Sequence, residues 1–240
     1  MALRFEELAW RETAMGAISL RRRRDPELDV DVYEVKLDDD FLMSSLFTVA
    51  EVELARLGLA ALPGAATGLD VVVGGLGLGY TARAALQDER VRSLVVVEAL
   101  VDVVGWHEAG LLPLSTELTG DPRTRLVTGD FFARVRDGDP LDGDVRRQFH
   151  AVLVDIDHSP RHVLHSSHAA FYTADGLRQL RERLRPGGVF ALWSDDPPDD
   201  EFLDMLGTVL EAPQAHVVTF PNHLTGGTSA NTVYVARRTG

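Results

Sequence analysis

Residues 71–80 read "VVVGGLGLGY", a run of three valines that changes abruptly into four glycines within six positions. The next segment, "TARAALQDE", has the composition of a helix. Glycine adopts backbone conformations closed to other residues and weakens regular structure elsewhere. A cluster of this density between a strand and a helix therefore indicates a backbone that approaches another group closely.

The chain after this turn alternates short apolar runs with helical segments. Strands are predicted at "LDVVVGG", "SLVVVEA", "TRLVTGD", "FHAVLVDID" and "GGVFALWSDD". Strands that alternate with helices are typical of a parallel sheet covered on both faces. Near the end, "HVVTFP" and "NTVYVARR" flank a Gly/Thr/Ser-rich connection and predict an antiparallel hairpin. The predicted fold class is α/β and Rossmann-like, with a mostly parallel sheet that this hairpin closes.

The first part of the chain has a different pattern. Short β-like pieces lie between residues 11 and 43, and an amphipathic helix is predicted at 47–62. We therefore expect a small N-terminal β region at 1–46 and a larger Rossmann-like domain at 47–240. The run "RRRR" at 21–24 is interpreted as a solvated strand end rather than a nucleic-acid patch.

Composition limits the function. The 240 residues carry a net charge of −13, which argues against a nucleic-acid partner and is compatible with a small cationic substrate. The absence of cysteine excludes disulfides, thiolate metal sites and a catalytic thiol. The sequence contains no run of 18 uncharged apolar residues, so we expect no membrane partner and a cytoplasmic location.

Acidic residues stand at the ends of the later predicted strands. Ligands of parallel α/β sheets bind at the carboxyl ends of the strands, so these positions share one edge. Glu98 lies about twenty residues beyond the glycine turn, where a carboxylate typically accepts hydrogen bonds from a ribose. Asp130, after Gly129, could accept a hydrogen bond from an adenine amine. The strand-end residues are Glu98, Gly129, Asp130, Asp155, Asp157, Asp195 and Asp196.

The turn itself suggests which adenosine ligand is bound. Its cofactor-binding positions are predicted to be Gly75, Gly77, Leu78 and Gly79. The pattern is G-x-G-x-G, and a dinucleotide turn would need glycine where Tyr80 stands. Together with Gly-Asp after the third strand and the closing hairpin, the turn favours S-adenosylmethionine and resembles the class I methyltransferase fold.

Further motifs resemble one branch of that superfamily, the spermidine synthases, which are polyamine aminopropyltransferases. The resemblance is carried by "VVVGGLGLG", "VVVEAL", "LVTGDFF", "FHAVLVDIDHSP", "AAFYTADGLRQLRERLRPGGVFA" and "VTFPNH". It implies that Glu98 holds the ribose, that Asp130 holds the adenine and that Asp155 helps to deprotonate the attacking amine. It also implies a homodimer, and an acceptor pocket beside Phe220 and Pro221.

Several positions depart from the spermidine synthase pattern. Leu78 replaces the aspartate that is implied to hold the amine of decarboxylated S-adenosylmethionine and to repel the carboxylate of the ordinary form. By spacing, the family's gating tyrosine falls near Glu53 and its glutamine near Met43, while Phe220 lacks the tyrosine hydroxyl. The catalytic residues are predicted to be Asp155, Asp157 and His158, although Asp157 could equally cap the following segment.

Four histidines after these aspartates are spaced so that a helix would bring them onto one face. They could form a polar lid, a general base or a metal site, and we expect the lid, with no metal. They are His158, His162, His165 and His168.

These observations predict an S-adenosylmethionine-dependent transferase. Because of Leu78, methyl transfer to a small polar or amine-bearing acceptor is expected ahead of aminopropyl transfer from decarboxylated S-adenosylmethionine. A non-catalytic module that keeps the nucleotide fold is the third alternative.

Overall fold

The computed structural model describes residues 5–13, 16–143 and 147–240. Within them, the larger sheet has seven strands in the order β10-β11-β9-β8-β5-β6-β7. Its strands are β5 (Leu69–Gly74), β6 (Val91–Glu98), β7 (Thr124–Thr128), β8 (Phe149–Val154), β9 (Leu184–Ser194), β10 (Glu211–Asn222) and β11 (Gly227–Arg237). Neighbours from β9 to β7 are parallel, whereas β11 and β10 are antiparallel. The predicted sheet and closing hairpin are confirmed.

The strand order changes direction between β5 and β8. Gly74 pairs with Val154 across this junction, and the N–H of Asp155 donates to the Gly74 carbonyl at 2.8 Å. A ligand crevice is expected where parallel strands diverge in this way. The register therefore places the glycine turn beside Asp155.

Helices cover both faces of this sheet. They are α1 (Val49–Ala60), α2 (Tyr80–Leu86), α3 (Val101–Glu108), α4 (Ser115–Gly120), α5 (Phe131–Asp137), α6 (Ala174–Arg181) and α7 (Asp200–Gly207), with a 3₁₀ helix at Ser166–Tyr172. Side chains alternate along a strand, so the valines of β5 divide between two cores. Val71 and Val73 pack with α1 to α4, and Val72 packs with α5, α6 and α7. No helix of the described ranges is long and apolar enough to cross a membrane.

A separate antiparallel sheet forms the N-terminal region. Its strands are β1 (Phe5–Thr13), β2 (Gly16–Asp25), β3 (Val30–Leu37) and β4 (Asp40–Ser44), in that order. Ile18, Leu20 and Val35 pack into the same core as α1. The predicted boundary at residue 46 falls between β4 and α1, and residues 1–4 and 14–15 of the predicted region lie outside the described ones. The division into two domains stays a prediction.

The arginine run lies on β2 and is paired within the N-terminal sheet. Arg22 pairs with Glu6, and Arg23 pairs with Glu34. Arg24 also contacts acidic residues, and Arg21 stacks over a phenylalanine ring. The interpretation as a strand end therefore agrees with the structure.

Candidate active site

A cavity of about 560 Å³ opens at the carboxyl ends of β5, β6, β8 and β9. The sequence-predicted residues that line it are Gly75, Gly77, Leu78, Gly79, Glu98, Asp130, Asp155 and His158. Gly129 immediately precedes this wall, and Asp157 lies behind it. Residues predicted from their positions at the strand ends therefore lie around one cavity.

The glycine turn forms the floor of the cavity. Gly75, Gly77 and Gly79 have φ angles of 95°, 48° and 93°, which side-chain-bearing residues rarely adopt. A Cβ at Gly75 would lie 2.0 Å from the Asp155 carbonyl oxygen, and one at Gly77 would lie 2.8 Å from the Met43 sulfur. Only glycine fits this turn, and the turn lines the cavity at Gly75, Gly77 and Gly79.

His107 supports the turn from below, a role that sequence reasoning missed. It is fully buried on α3, and burial lowers the pKa of its imidazole. The neutral ring can donate from Nε2 to the Gly77 carbonyl oxygen, 2.9 Å away. A histidine in the last turn of a helix carries no sequence signal for such a contact.

Glu98 is buried beneath the turn, with 9% of its surface exposed. One carboxylate oxygen accepts from the Leu76 N–H at 2.9 Å, and the other accepts from the Leu100 N–H at 2.8 Å. Burial raises the pKa of Glu98, although these backbone donors favour its ionised form. The carboxylate therefore organises the loops of two strands and retains lone pairs for ribose hydroxyls.

Asp130 begins α5 at the end of β7. Its side chain caps the helix by accepting from the Ala133 N–H at 3.0 Å. Phe131 and Phe132 follow it and line the same side of the cavity. A carboxylate beside two aromatic rings suits a flat base that carries an exocyclic amine.

Asp155 lies where β5 and β8 diverge and faces Glu51 of α1 in the same cavity. Thr81 Oγ1 is 2.6 Å from an Asp155 carboxylate oxygen and 3.2 Å from the Glu51 carbonyl oxygen. Burial raises the pKa of Asp155 to about 6. Burial and the charge of Asp155 together raise the pKa of Glu51 to about 8.

Asp157 is an anchor for the wall of the cavity. It is 1% exposed and accepts hydrogen bonds from the Leu164 N–H, His168 Nδ1 and the Tyr172 hydroxyl, at 2.8, 2.8 and 2.9 Å. These three contacts use both carboxylate oxygens. Its catalytic role stays a prediction. The three contacts favour the alternative role, in which Asp157 holds the segment that follows it.

The four histidines do not share one helical face. Among them, only His168 lies within the 3₁₀ helix, because the chain around Pro160 is irregular. His158, His165 and His168 line the cavity, whereas His162 is exposed and contacts Asp196 at 2.9 Å. Within the described ranges, no cluster of His, Asp or Glu side chains is arranged to hold a metal ion.

The positions that depart from the spermidine synthase pattern surround the cavity, with one correction. Leu78 and Phe220 are buried in its wall, 4% and 8% exposed, and Met43 covers Gly77. Glu53, which was expected near the gating position, forms an ion pair with Arg56 and does not line the cavity. Glu51, two residues earlier on α1, lines the cavity.

Two further residues at the end of β9, Trp193 and Asp195, line the cavity, although neither was predicted to be a site residue. Trp193, interpreted as a packing residue, lines the cavity, and its Nε1 is buried with no partner among the described atoms. Of the acidic run at 194–201, Asp195 reaches the cavity, where Asn231 donates to it at 2.6 Å. Sequence reasoning could see the strand end but not which side chains face inward.

The lining is mostly apolar, and its carboxylates outnumber its histidines. It contains five carboxylates and three histidines, and its described members include no lysine or arginine. The carboxylates are those of Glu51, Glu98, Asp130, Asp155 and Asp195.

The fold of this α/β protein is similar to that of solved spermidine synthases. The chain superposes on spermidine synthase from Thermotoga maritima with a TM-score of 0.72 at 17% identity, over 97% of this chain and 72% of that one. A spermidine synthase solved with the transition state analogue AdoDATO gives 0.73 at 16% identity, over 97% and 73%. The suspected resemblance in fold is confirmed.

Sequence similarity leads to the same group of proteins. The chain is 30% identical over 165 residues to polyamine aminopropyltransferase 2 of Pseudomonas aeruginosa, which is 65% of this chain. The match spans 43% of that relative, less than half of its length. No family model matches the chain.

Proposed function

We propose that this protein transfers the aminopropyl group of decarboxylated S-adenosylmethionine to a small amine. The observation that carries the proposal is the acidic cavity at the switch point, which contains Glu51 and Asp155 and no lysine or arginine among its described lining residues. Such a cavity favours cationic ligands and disfavours the carboxylate of ordinary S-adenosylmethionine. The similarity to a polyamine aminopropyltransferase supports the same reaction.

The residues present fit such a donor. The backbone of the glycine turn lines the cavity at Gly75, Gly77 and Gly79, where a nucleotide could contact it. Glu98 and Asp130 supply acceptors for the ribose hydroxyls and the adenine amine. The sulfonium of the bound donor supplies a good leaving group, so the protein must mainly align the amine and accept its proton.

Asp155 is the proposed proton acceptor. When the amine nitrogen bonds to the carbon next to sulfur, the carbon–sulfur bond breaks and its electron pair stays on sulfur. The nitrogen then releases one proton, which Asp155 can take because its pKa of about 6 lies close to neutral pH. His158, which also lines the cavity, is the proposed supporting residue.

Methyl transfer is the second candidate, and Leu78 favours it. This buried leucine places an apolar side chain in the turn where the resemblance implies an aspartate. The comparisons support aminopropyl transfer better, which reverses the order expected from Leu78 alone. Glu51 supplies an acidic group at another point of the cavity wall.

The test is a donor comparison with the purified protein and a panel of small amines. We expect turnover with decarboxylated S-adenosylmethionine, release of methylthioadenosine and an amine extended by one aminopropyl group. Release of S-adenosylhomocysteine from the ordinary donor would establish methyl transfer instead. Failure of both donors and of methylthioadenosine to bind would support the non-catalytic module.

We also propose a cytoplasmic homodimer that uses the N-terminal sheet. Phe5, Trp10 and Phe41 expose 53%, 47% and 57% of their surface on this sheet, and exposed aromatic side chains are typical of interfaces. The lack of cysteine suits a reducing compartment. Light scattering would give the mass, and Trp10→Glu should shift a dimer to monomer.

A further inference from the structure

Glu51 and Asp155 come from different parts of the chain and meet beside the glycine turn. Glu51 lies in the first turn of α1, and Asp155 follows β8. Thr81, in the first turn of α2, contacts the Asp155 carboxylate and the Glu51 backbone carbonyl. Since a hydroxyl has one proton, a protonated Asp155 can donate to Thr81, which in turn donates to the carbonyl.

Neither carboxyl group has a charge-balancing cation among the described residues. No described lysine, arginine or histidine forms an ion pair with either one. The titratable groups that face Glu51 are Asp155 and the Tyr80 phenol, which contributes no positive charge. Two adjacent carboxyl groups in such surroundings retain a proton until a cation arrives.

We propose that Glu51 and Asp155 together bind the ammonium group of the donor's aminopropyl arm, and that Glu51 supplies the carboxylate that Leu78 removes from the glycine turn. This inference rests on the proposed aminopropyl transfer. It makes Glu51 the residue that selects the decarboxylated donor over the ordinary one.

The position of the pair favours the donor over the acceptor amine. Thr81 follows the glycine turn by two residues, so the pair adjoins the floor on which the nucleotide would lie. Asp195, which follows β9, lines the same cavity and supplies a second carboxylate for an acceptor amine.

The experiment compares Glu51→Gln with Glu53→Gln, a matched change on the same helix outside the cavity. Calorimetry measures the Kd of decarboxylated S-adenosylmethionine, of S-adenosylmethionine and of methylthioadenosine, which lacks the aminopropyl arm. In Glu51→Gln we expect affinity for the decarboxylated donor to fall at least about tenfold, since hydrogen bonds to charged groups are the strong ones. Affinity for methylthioadenosine should hold, and Glu53→Gln should match the parent throughout.

The outcomes separate this inference from the function on which it rests. A parent that prefers decarboxylated S-adenosylmethionine, with the same preference in Glu51→Gln, overturns the role of Glu51 and leaves aminopropyl transfer standing. A parent that binds both donors no better than methylthioadenosine refutes the proposed function itself. Loss of amine-acceptor affinity alone in Glu51→Gln would move the pair to the acceptor and overturn the assignment.

Discussion

Replacing Asp157 separates anchoring from catalysis. In Asp157→Ala, the Leu164 N–H, the Tyr172 hydroxyl and the His168 ring lose their buried acceptor. Each buried donor left unsatisfied costs about 1–3 kcal/mol, so the loss of all three should lower the unfolding free energy by at least about 3 kcal/mol. Asp157→Asn keeps one acceptor oxygen and should cost about 1–2 kcal/mol through the lost charge.

Urea unfolding followed by far-UV circular dichroism measures this loss. Asp175→Ala is the control, because Asp175 is 87% exposed and pairs only on the surface with Arg178, so its loss should change stability by less than about 0.5 kcal/mol. Since Leu164 and His168 line the cavity, donor affinity should weaken together with stability. An Asp157→Ala protein with the parent's unfolding midpoint would refute the anchoring role, and an inactive but fully stable Asp157→Asn would restore the catalytic one.

Other substitutions test the floor and the acidic pair. Glu98→Ala should weaken donor binding by at least about tenfold, and it should also lower the melting temperature because it frees two backbone N–H groups; unchanged affinity in calorimetry would remove it from the site. Asp155→Asn should reduce kcat by about 10²–10⁴-fold and weaken donor binding, while affinity for methylthioadenosine, which lacks the aminopropyl arm, should hold; normal turnover in a steady-state assay would shift the base to His158. Gly75→Ala should abolish donor binding and destabilise the fold, because its Cβ would overlap the Asp155 carbonyl; a normal Kd would show that the turn relaxes. The pKa of Glu51 is raised from 4.5 to about 8, so its stability contribution is complete below pH 4.5 and is lost as the pH rises through 8. Glu51→Gln should therefore melt higher than the parent at pH 8 and show a flatter pH profile, and parallel profiles in calorimetric melting would contradict this.

The sequence predicted the sheet well because its signals are local and repeated. Each apolar run ends in glycine or an acidic residue, and parallel strands bring those ends to one edge. Glu98, Asp130 and Asp155 were found from strand position alone. In the regular part of the sheet, the position of a residue at the end of a strand was enough to predict that it lies at this edge.

Errors arose where orientation or irregular structure decides. Spacing placed the gating position near Glu53, but two residues differ by about 200° around a helix, so Glu51 faces the cavity and Glu53 does not. The histidine spacing suggested one helical face, but the buried Asp157 holds this segment through the Leu164 backbone in a non-helical path. A tertiary contact of this kind leaves no periodic signal in sequence.

The contact between Met43 and Gly77 has a consequence for how quickly ligands exchange. Met43 belongs to the N-terminal sheet, so the floor and the cover of the cavity come from two different sheets. A methionine side chain is unbranched and has three rotatable bonds, which lets it swing without disturbing the backbone. We therefore expect substitutions of Met43 to change how quickly the proposed donor dissociates, and substitutions in the glycine turn to change its affinity.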